Sequence, residues 1–344
     1  MVSNLPDYII ISKNLSNDLS ASISDLKPDK IVVLVDENTK HHCLPLLDIG
    51  KKEIIEIESG EKNKILSTCS DIWKNLTDLG CSRKSLLINL GGGVIGDMGG
   101  FCASTFKRGM PFINIPTTLL SQVDASIGGK LGVDFNGLKN HIGLFKEPDK
   151  VIIDAHFLST LPQRQLKSGF AEIIKHALIY DSTHWESLKK TPFNQINWND
   201  FIQKSVEIKN SVVEKDPNER GLRKILNFGH SLGHAIESHL LNTINPLLHG
   251  EAVAVGMILE SNISYQKEMI NKIDLNEIEQ FILSGFELPT QLPVFDELSS
   301  YLMQDKKNEN GIMKFSLLQN IGECLYDINV SKSEINTAID SFNR

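Results

Sequence analysis

From Ser85 to Gly100 the chain reads SLLINLGGGVIGDMGG, an apolar strand that runs without a loop into glycines and then into a helical segment. A strand with one wet face alternates apolar and polar residues; one apolar throughout is covered on both faces, as in a parallel sheet. The same reading applies to KIVVLVD (30–36), FINIP (112–116) and VIIDAHFL (151–158), with KEIIEIE (52–58) as a further strand. Helical segments intervene, one running to about Leu47 and one over Ile65–Leu79 after the polar turn SGEKNK. Strands alternating with helices predict an α/β domain built on a mostly parallel sheet.

Gly91, Gly93 and Gly96 satisfy G-x-G-x-x-G after a strand and before a helix, the context in which the pattern signals a dinucleotide. Glycines there let backbone N–H groups approach a pyrophosphate at the helix N-terminus. The acid expected about 20 residues further on to bind a ribose is absent, because that region is Ile115-Pro116-Thr117-Thr118. Asp97 in the loop, or Asp36 at the end of the first strand, would serve instead. A tight turn with close helix–strand packing also explains glycine, but Asp97 and the further Gly99 and Gly100 favour nucleotide binding. Downstream, Thr117, Thr118, Ser121 and Asp124 lead to Gly128-Gly129-Lys130, and Lys139-Asn140 follows in a loop. Singly these lysines read as solvated surface; together they suggest the rim of a cleft with cations for a phosphate or carboxylate.

From Pro162 onward the pattern changes to long helical periods, so the boundary is set near residue 160: 1–160 as the α/β domain and 161–344 as a mainly α-helical one. RQLKSGFAEIIKHALIYD places Glu172 and Lys175 three apart on an apolar face. A partly buried ion pair explains them; so would Glu172 holding a metal while Lys175 touches substrate. Lys209 shares a face with Ile202, Ser205, Val206 and Val213, where snorkelling is the ordinary explanation. His230 and His234 are four apart, so a helix brings both to one face, and His249 follows at a loop-to-helix junction. Two or three imidazoles with a carboxylate make a divalent-metal site. Arg223 and Asn227 continue the histidine face if the helix extends back to them. Near the C-terminus, MKFSLL with ECLYDI reads as a hairpin, and Ser331 to Glu334 as a capping box.

Composition narrows the partners. A net charge of -8 argues against non-specific binding to nucleic acid or anionic membranes. Five scattered cysteines without a CxxC pair predict a reduced, cytoplasmic protein, and MVSNLPDYIIISKNLS is no signal peptide.

GGGVIGD, IPTTLLSQVDASIGGK, the Lys-Asn of GLKN, GFAEIIKHALI, GLRKILNFGHSLGHAIE and HGEAVAVGM, in that order, resemble the motifs of the 3-dehydroquinate synthase family over nearly the whole chain. The resemblance implies a Rossmann-like N-terminal domain binding NAD, a helical metal-binding domain, zinc (with cobalt able to substitute) and a homodimer. Position by position, it implies Glu172, His230 and His249 as metal ligands, and turns His234, which spacing had paired with His230, towards substrate. Implied NAD contacts are Asp36, Asn38, the turn Ser59, Gly60, Glu61, Lys62, Asn63 and Lys64, then Gly93, Val94, Ile95, Gly96 and Asp97, Thr117 and Thr118, Lys130 and Lys139, and Phe157, Leu158, Ser159 and Thr160. Implied substrate contacts are Arg108, Asp124, Lys130, Asn140, Lys175, Lys209, Arg223, Asn227 and His234, with Lys306 taken from the Asp305-Lys306-Lys307 run.

The implied reaction takes 3-deoxy-D-arabino-heptulosonate 7-phosphate to 3-dehydroquinate and phosphate: oxidation at C5, loss of phosphate, re-reduction, ring opening and an intramolecular aldol. Competing expectations are another sugar-phosphate cyclase, a metal-dependent polyol dehydrogenase, and a nucleotide- or metal-binding protein without turnover.

Overall fold

The computed structural model describes residues 5–136, 138–241, 243–304 and 313–343. In chain order the strands are β1 (Ile9–Ile11), β2 (Ile31–Asp36), β3 (Glu53–Ile57), β4 (Leu86–Gly91), β5 (Phe112–Pro116), β6 (Lys130–Phe135), β7 (Leu138–Phe145), β8 (Lys150–Ile153), β9 (Met313–Asn320) and β10 (Glu323–Val330). The α-helices are α1 (Leu15–Leu26), α2 (Glu37–His42), α3 (Leu66–Asp78), α4 (Gly93–Thr105), α5 (Gln163–Tyr180), α6 (Ser182–Lys190), α7 (Trp198–Lys215), α8 (His230–Leu240), α9 (His249–Gln266), α10 (Lys272–Gly285), α11 (Phe295–Gln304) and α12 (Lys332–Phe342). The chain divides into two compact units: Met1–Pro162 with Trp198–Glu207, and Gln163–Asn197 with Ile208–Arg344.

The first unit carries a six-stranded parallel sheet in the order β1-β8-β5-β4-β2-β3. The inner strands β2, β4, β5 and β8 are largely apolar and buried because both faces are covered, whereas edge strand β3 leaves Ile54 and Glu56 exposed. Val32 and Leu34 of β2, with Leu87 of β4, join Ile72 and Leu76 of α3 and Met98 and Phe101 of α4 in one core. Val33 and Val35, with Ile88 and Leu90, join Leu19 of α1 and Phe157 in the other. The strand expected over 151–158 ends at Ile153, where Asp154 caps a 3-10 turn, Ala155–Thr160, by accepting a hydrogen bond from His156 N at 2.8 Å. Lys139 and Asn140, expected in a loop, lie on β7 of the antiparallel hairpin β6–β7. Composition suggested a turn there, but cross-strand backbone pairing decides it.

The second unit is helical apart from the expected hairpin, β9 antiparallel to β10. Its central element is α9, buried on every side from Gly250 to Ser264, as a helix enclosed by neighbours must be. Leu232 and Ile236 of α8, Val255, Leu259 and Ile263 of α9, Leu298 of α11, and Ile335 and Ile339 of α12 share one core with Phe315 and Leu317 of β9. The Ser331–Glu334 capping box opens α12 as expected. Among the described residues no helix is long and apolar enough to cross a membrane.

Candidate active site

In the first unit the strand order reverses direction between β2 and β4: β3 lies outside β2, while β5 and β8 follow on the other side of β4. Ligands of open α/β sheets bind at the carboxyl ends of the strands, at such a reversal. All the strands are parallel, so the segments leaving β2, β3, β4, β5 and β8 emerge along one edge.

Asp36 ends β2 and caps α2, its carboxylate accepting from Thr39 N at 2.8 Å; Asn38 is exposed on α2. After β3, Gly60 takes the left-handed value φ +100 and opens the Glu61–Asn63 turn. Ser59 N donates to Glu37 at 3.0 Å and Asn63 Nδ2 to Ser59 O at 2.7 Å, and Lys62 is exposed. After β4 come Gly93 to Asp97. Asp97, expected in the loop, lies in the second turn of α4. Thr117 and Thr118 follow β5. After β8, Phe157 and Leu158 are buried while Ser159 and Thr160 are exposed.

Space sorts the glycines. A Cβ at Gly99 would lie 2.0 Å from Asn89 Oδ1, and one at Gly100 2.5 Å from Leu131 Cδ2. Those two are packing glycines, not evidence of a nucleotide. A Cβ at Gly96 would meet only Asn114 Nδ2, at 4.0 Å, and one at Gly93 only Ala125 Cβ, at an ordinary 3.4 Å. Each glycine costs a helix about 1 kcal/mol relative to alanine, and protein packing does not require it at either position. The cap residue Gly92 offers no side chain to the first-turn N–H groups. Residues 92–96 thus form a cradle that suits a pyrophosphate.

Lys64, 3% exposed, is anchored between two elements, donating from Nζ to Asp97 Oδ2 and to Asn140 Oδ1, each at 2.6 Å. Asn140, with φ +50, also donates from its backbone N to Asp134 Oδ1 at 2.7 Å. Lys130 opens β6 and is exposed, as is Lys139. Asp124 sits in a single π-helical turn, Ser121–Ala125. Arg108 is exposed in left-handed backbone, φ +69, directly after Lys107 at φ +49. Strained backbone of that kind is concentrated at functional positions.

In the second unit, Glu172 from α5, His230 from α8 and His249 from α9 converge. Glu172 Oε1 lies 3.5 Å from His230 Nε2 and 3.6 Å from His249 Nε2. Ligands bound at about 2.0–2.1 Å in a tetrahedral zinc shell stand about 3.3–3.4 Å apart, so both carboxylate–imidazole separations suit such an ion. The His230 and His234 rings lie 5.0 Å apart, and one nitrogen each from His230, His234 and His249 falls within 4.8 Å of the others. Helical spacing therefore brought His234 to the cluster; the carboxylate that completes it belongs to another helix.

Outer partners aim both rings. His230 Nδ1 lies 3.1 Å from Phe228 O and His249 Nδ1 lies 3.3 Å from Glu237 Oε2. With a metal bound, a hydrogen bond from each Nδ1–H would leave the Nε2 lone pairs free to coordinate it. Glu237 was not anticipated, although its place seven residues after His230 on α8 put it on the same face. Burial, reinforced by the Lys175 cation, holds His230 well below 6.5 and so in the neutral form a metal needs. Burial also pulls His249 down, but hydrogen bonds to Glu172 and Glu237 outweigh it and raise it to about 9.

His249 in the metal-free protein is therefore a cation at pH 7, stabilising the fold below the unfolded value of 6.5 and losing that contribution as pH rises through about 9. A metal must displace its proton. Calorimetry in buffers of different ionisation enthalpy is expected to register about one proton released per ion at pH 7, with affinity rising about tenfold per pH unit up to about pH 9. Binding without proton release would contradict this reading of His249.

His230 and His249 are each the first residue of their helix. The glycines around them serve approach: a Cβ at Gly256 would lie 1.9 Å from Gly229 O, and one at Gly250 1.9 Å from Ser168 O. Arg164 grips Glu251 through Nε and Nη2, each at 2.7 Å, while Glu251 accepts from Leu248 N at 2.8 Å and so fixes the start of α9.

The second unit also carries buried cations. Lys175, 1% exposed, pairs with Glu172. Lys209 is 5% exposed, so it does not snorkel. Arg223, also buried, donates from Nη1 to Pro217 O at 2.7 Å. Asn227 donates to Glu219 Oε1 at 2.7 Å. The ladder expected from Arg223 to His234 along one helix is broken: residues Leu222–Asn227 form a 3-10 turn, and Gly229, at φ +78, restarts the chain as α8. Lys306 lies outside the described residues.

Two family models match consecutive stretches of the chain, 3-dehydroquinate synthase N-terminal over residues 54–168 and 3-dehydroquinate synthase C-terminal over residues 169–308. The chain belongs to the 3-dehydroquinate synthase family. A 3-dehydroquinate synthase of Parabacteroides distasonis is 42% identical over 342 residues, covering 97% of this chain and 97% of its own. Among solved structures, 2-deoxy-scyllo-inosose synthase complexed with carbaglucose-6-phosphate, NAD+ and Co2+ matches with a TM-score of 0.84 at 25% identity, covering 97% of this chain and 96% of that one. The 2-epi-5-epi-valiolone synthase of Streptomyces hygroscopicus, with NAD+ and Zn2+ bound, matches with a TM-score of 0.84 at 26% identity over 99% of both chains. Membership of the 3-dehydroquinate synthase family accounts for the order of the motifs and for the pairing of a Rossmann-like unit with a helical one.

Proposed function

We propose that this chain is a carbon–oxygen lyase that converts 3-deoxy-D-arabino-heptulosonate 7-phosphate to 3-dehydroquinate and inorganic phosphate, using NAD and a divalent metal, zinc or cobalt. The observation that carries this reading is the meeting of Glu172 Oε1 with the Nε2 atoms of His230 and His249 in a chain of this family. When bound, the cofactors supply reversible hydride transfer at C5 and Lewis-acid polarisation of the C4 and C5 oxygens.

Glu172, His230 and His249 hold the metal. The residues that open α4, from Gly93 to Asp97, hold the pyrophosphate; Asp36, Asn38, the Ser59–Lys64 turn, Thr117, Thr118, Lys139 and Phe157–Thr160 hold the rest of the dinucleotide. Lys175, Lys209 and Arg223 bind the substrate's phosphate and carboxylate, with Arg108, Lys130 and Lys306 adding charge and Asp124, Asn140 and Asn227 orienting hydroxyls. His234, exposed at the edge of the metal cluster, is assigned to phosphate contact or proton transfer. Oxidation at C5 acidifies C6, and phosphate then leaves by elimination with its own oxygen available as the base. C5 would be re-reduced before ring opening and aldol closure, so bound NAD would gain no net electrons and would not be consumed. The same reading makes the chain a cytoplasmic homodimer.

The test is phosphate release from the heptulosonate with NAD, before and after chelation. Release without net NADH, lost on chelation and restored by zinc or cobalt, is expected. Net NADH would make the chain a dehydrogenase. Preferential turnover of sedoheptulose 7-phosphate or glucose 6-phosphate would make it another cyclase, and silence with all three sugars a binding protein.

A further inference from the structure

Glu260 lies in α9, three turns beyond His249, and is 0% exposed. Its carboxylate points at α8 and not at the cluster. Oε2 accepts from Gly229 N at 2.6 Å and Oε1 from Leu232 N at 3.1 Å. Those amides flank His230 at the start of α8, where backbone donors have no partner within the helix. Helix starts are ordinarily satisfied by the side chain of the cap residue, but here that residue is Gly229, which has none. Nor is there room for one: a Cβ at Gly229 would lie 2.7 Å from Met257 Cγ and 3.0 Å from Val253 O. The cap is supplied instead by the helix that carries the other histidine ligand.

We propose that Glu260 is a positioning residue for the metal centre: by clamping the first turn of α8 to α9, it sets where His230 Nε2 stands relative to His249 Nε2. Three further observations bear on this. The two oxygens engage amides on either side of His230, so rotation of that first turn breaks one bond or the other. A charge-assisted bond to a backbone N–H is roughly twice as strong as a neutral one. The shell has a tolerance of about 0.2 Å in ligand distance, which a frayed helix start exceeds. The inference rests on the metal-site assignment of the preceding subsection.

The experiment compares Glu260→Gln with Ile263→Ala, which opens a cavity in the same helix one turn away, on the face that joins the core formed with α8, α11 and α12. Metal-free proteins are titrated with Co2+, following the visible d–d absorption of the bound ion and its dissociation by a competing chelator. Glutamine keeps the shape of the side chain but can accept from only one of the two amides through its oxygen, and it turns an NH2 group towards the other. The expected result for Glu260→Gln is an altered d–d spectrum and a metal affinity about 10–100-fold lower, the usual consequence of losing an outer partner. Ile263→Ala is expected to lower the melting temperature while leaving spectrum and affinity as in the wild type. Equal losses of affinity in the two variants, or an unaltered spectrum and affinity in Glu260→Gln, would reduce Glu260 to a structural role and overturn the proposal. Wild-type protein that binds no Co2+ would instead overturn the metal assignment itself.

Hydrogen exchange on the wild type tests the clamp independently of whether the variant folds. The Gly229 and Leu232 amides are expected to be protected as strongly as mid-helix amides of α8. Exchange at the rate of open helix ends would also overturn the proposal.

Discussion

Replacing Glu172 by glutamine is expected to remove stoichiometric metal and to depress phosphate release more than the about 100-fold that a lost outer partner can cost. Glu172 is fully buried, and the groups it faces include the nitrogens of His230 and His249 and the ammonium of Lys175. Glutamine keeps the volume and loses the charge, which is both the anionic ligand and the counter-charge of Lys175. Breaking a buried ion pair by removing one partner costs about 3–5 kcal/mol, so the variant should also unfold more readily. Adding Lys175→Met separates the two effects: the double variant should regain most of the stability and still bind no metal. Metal content after dialysis, together with denaturant unfolding of single and double variants, decides it. Full metal content in Glu172→Gln would contradict the ligand assignment.

Gly256→Ala should be nearly as damaging. The added Cβ would lie 1.9 Å from Gly229 O, 2.8 Å from Gly229 C and 2.9 Å from Gly233 N, all backbone atoms of the neighbouring segment. Overpacking a core commonly costs about 1–3 kcal/mol, and this case belongs at the upper end because no flexible side chain can yield. Relief requires α8 to move away from α9, which also separates His230 from His249, so stability and metal affinity should fall together. Gly285→Ala is the matched control. It closes α10 with nothing within 4 Å of its Cβ, and so should be neutral or slightly stabilising. Wild-type unfolding and metal binding in Gly256→Ala would mean that the close approach of these helices is not needed for the site.

Some of the site was legible in local pattern. The i, i+4 spacing of His230 and His234 predicts a shared face, and in α8 the two rings stand 5.0 Å apart. That spacing is silent about Glu172, which reaches the cluster from α5, and about Glu260, whose carboxylate acts on the start of another helix; it puts Glu237 on the histidine face but does not say that Glu237 meets His249. Likewise, a string of glycines from 91 to 100 looks uniform as sequence, yet Gly99 makes room for Asn89 while a Cβ at Gly96 would only touch Asn114 Nδ2, at 4.0 Å. The polar ladder from Arg223 to His234 failed because Gly229 adopts a left-handed backbone, which a helical period does not announce.

Amino-acid order alone determined that β2, β4 and β5 are strands buried on two faces, where a strand turns through glycine into a helix, and which histidines share a side, since period and backbone preference are properties of neighbours along the chain. Tertiary structure alone decided the order of strands in the sheet and the pairing of β6 with β7. Those outcomes depend on which buried surfaces fit against one another, and that complementarity arises only once distant segments have packed.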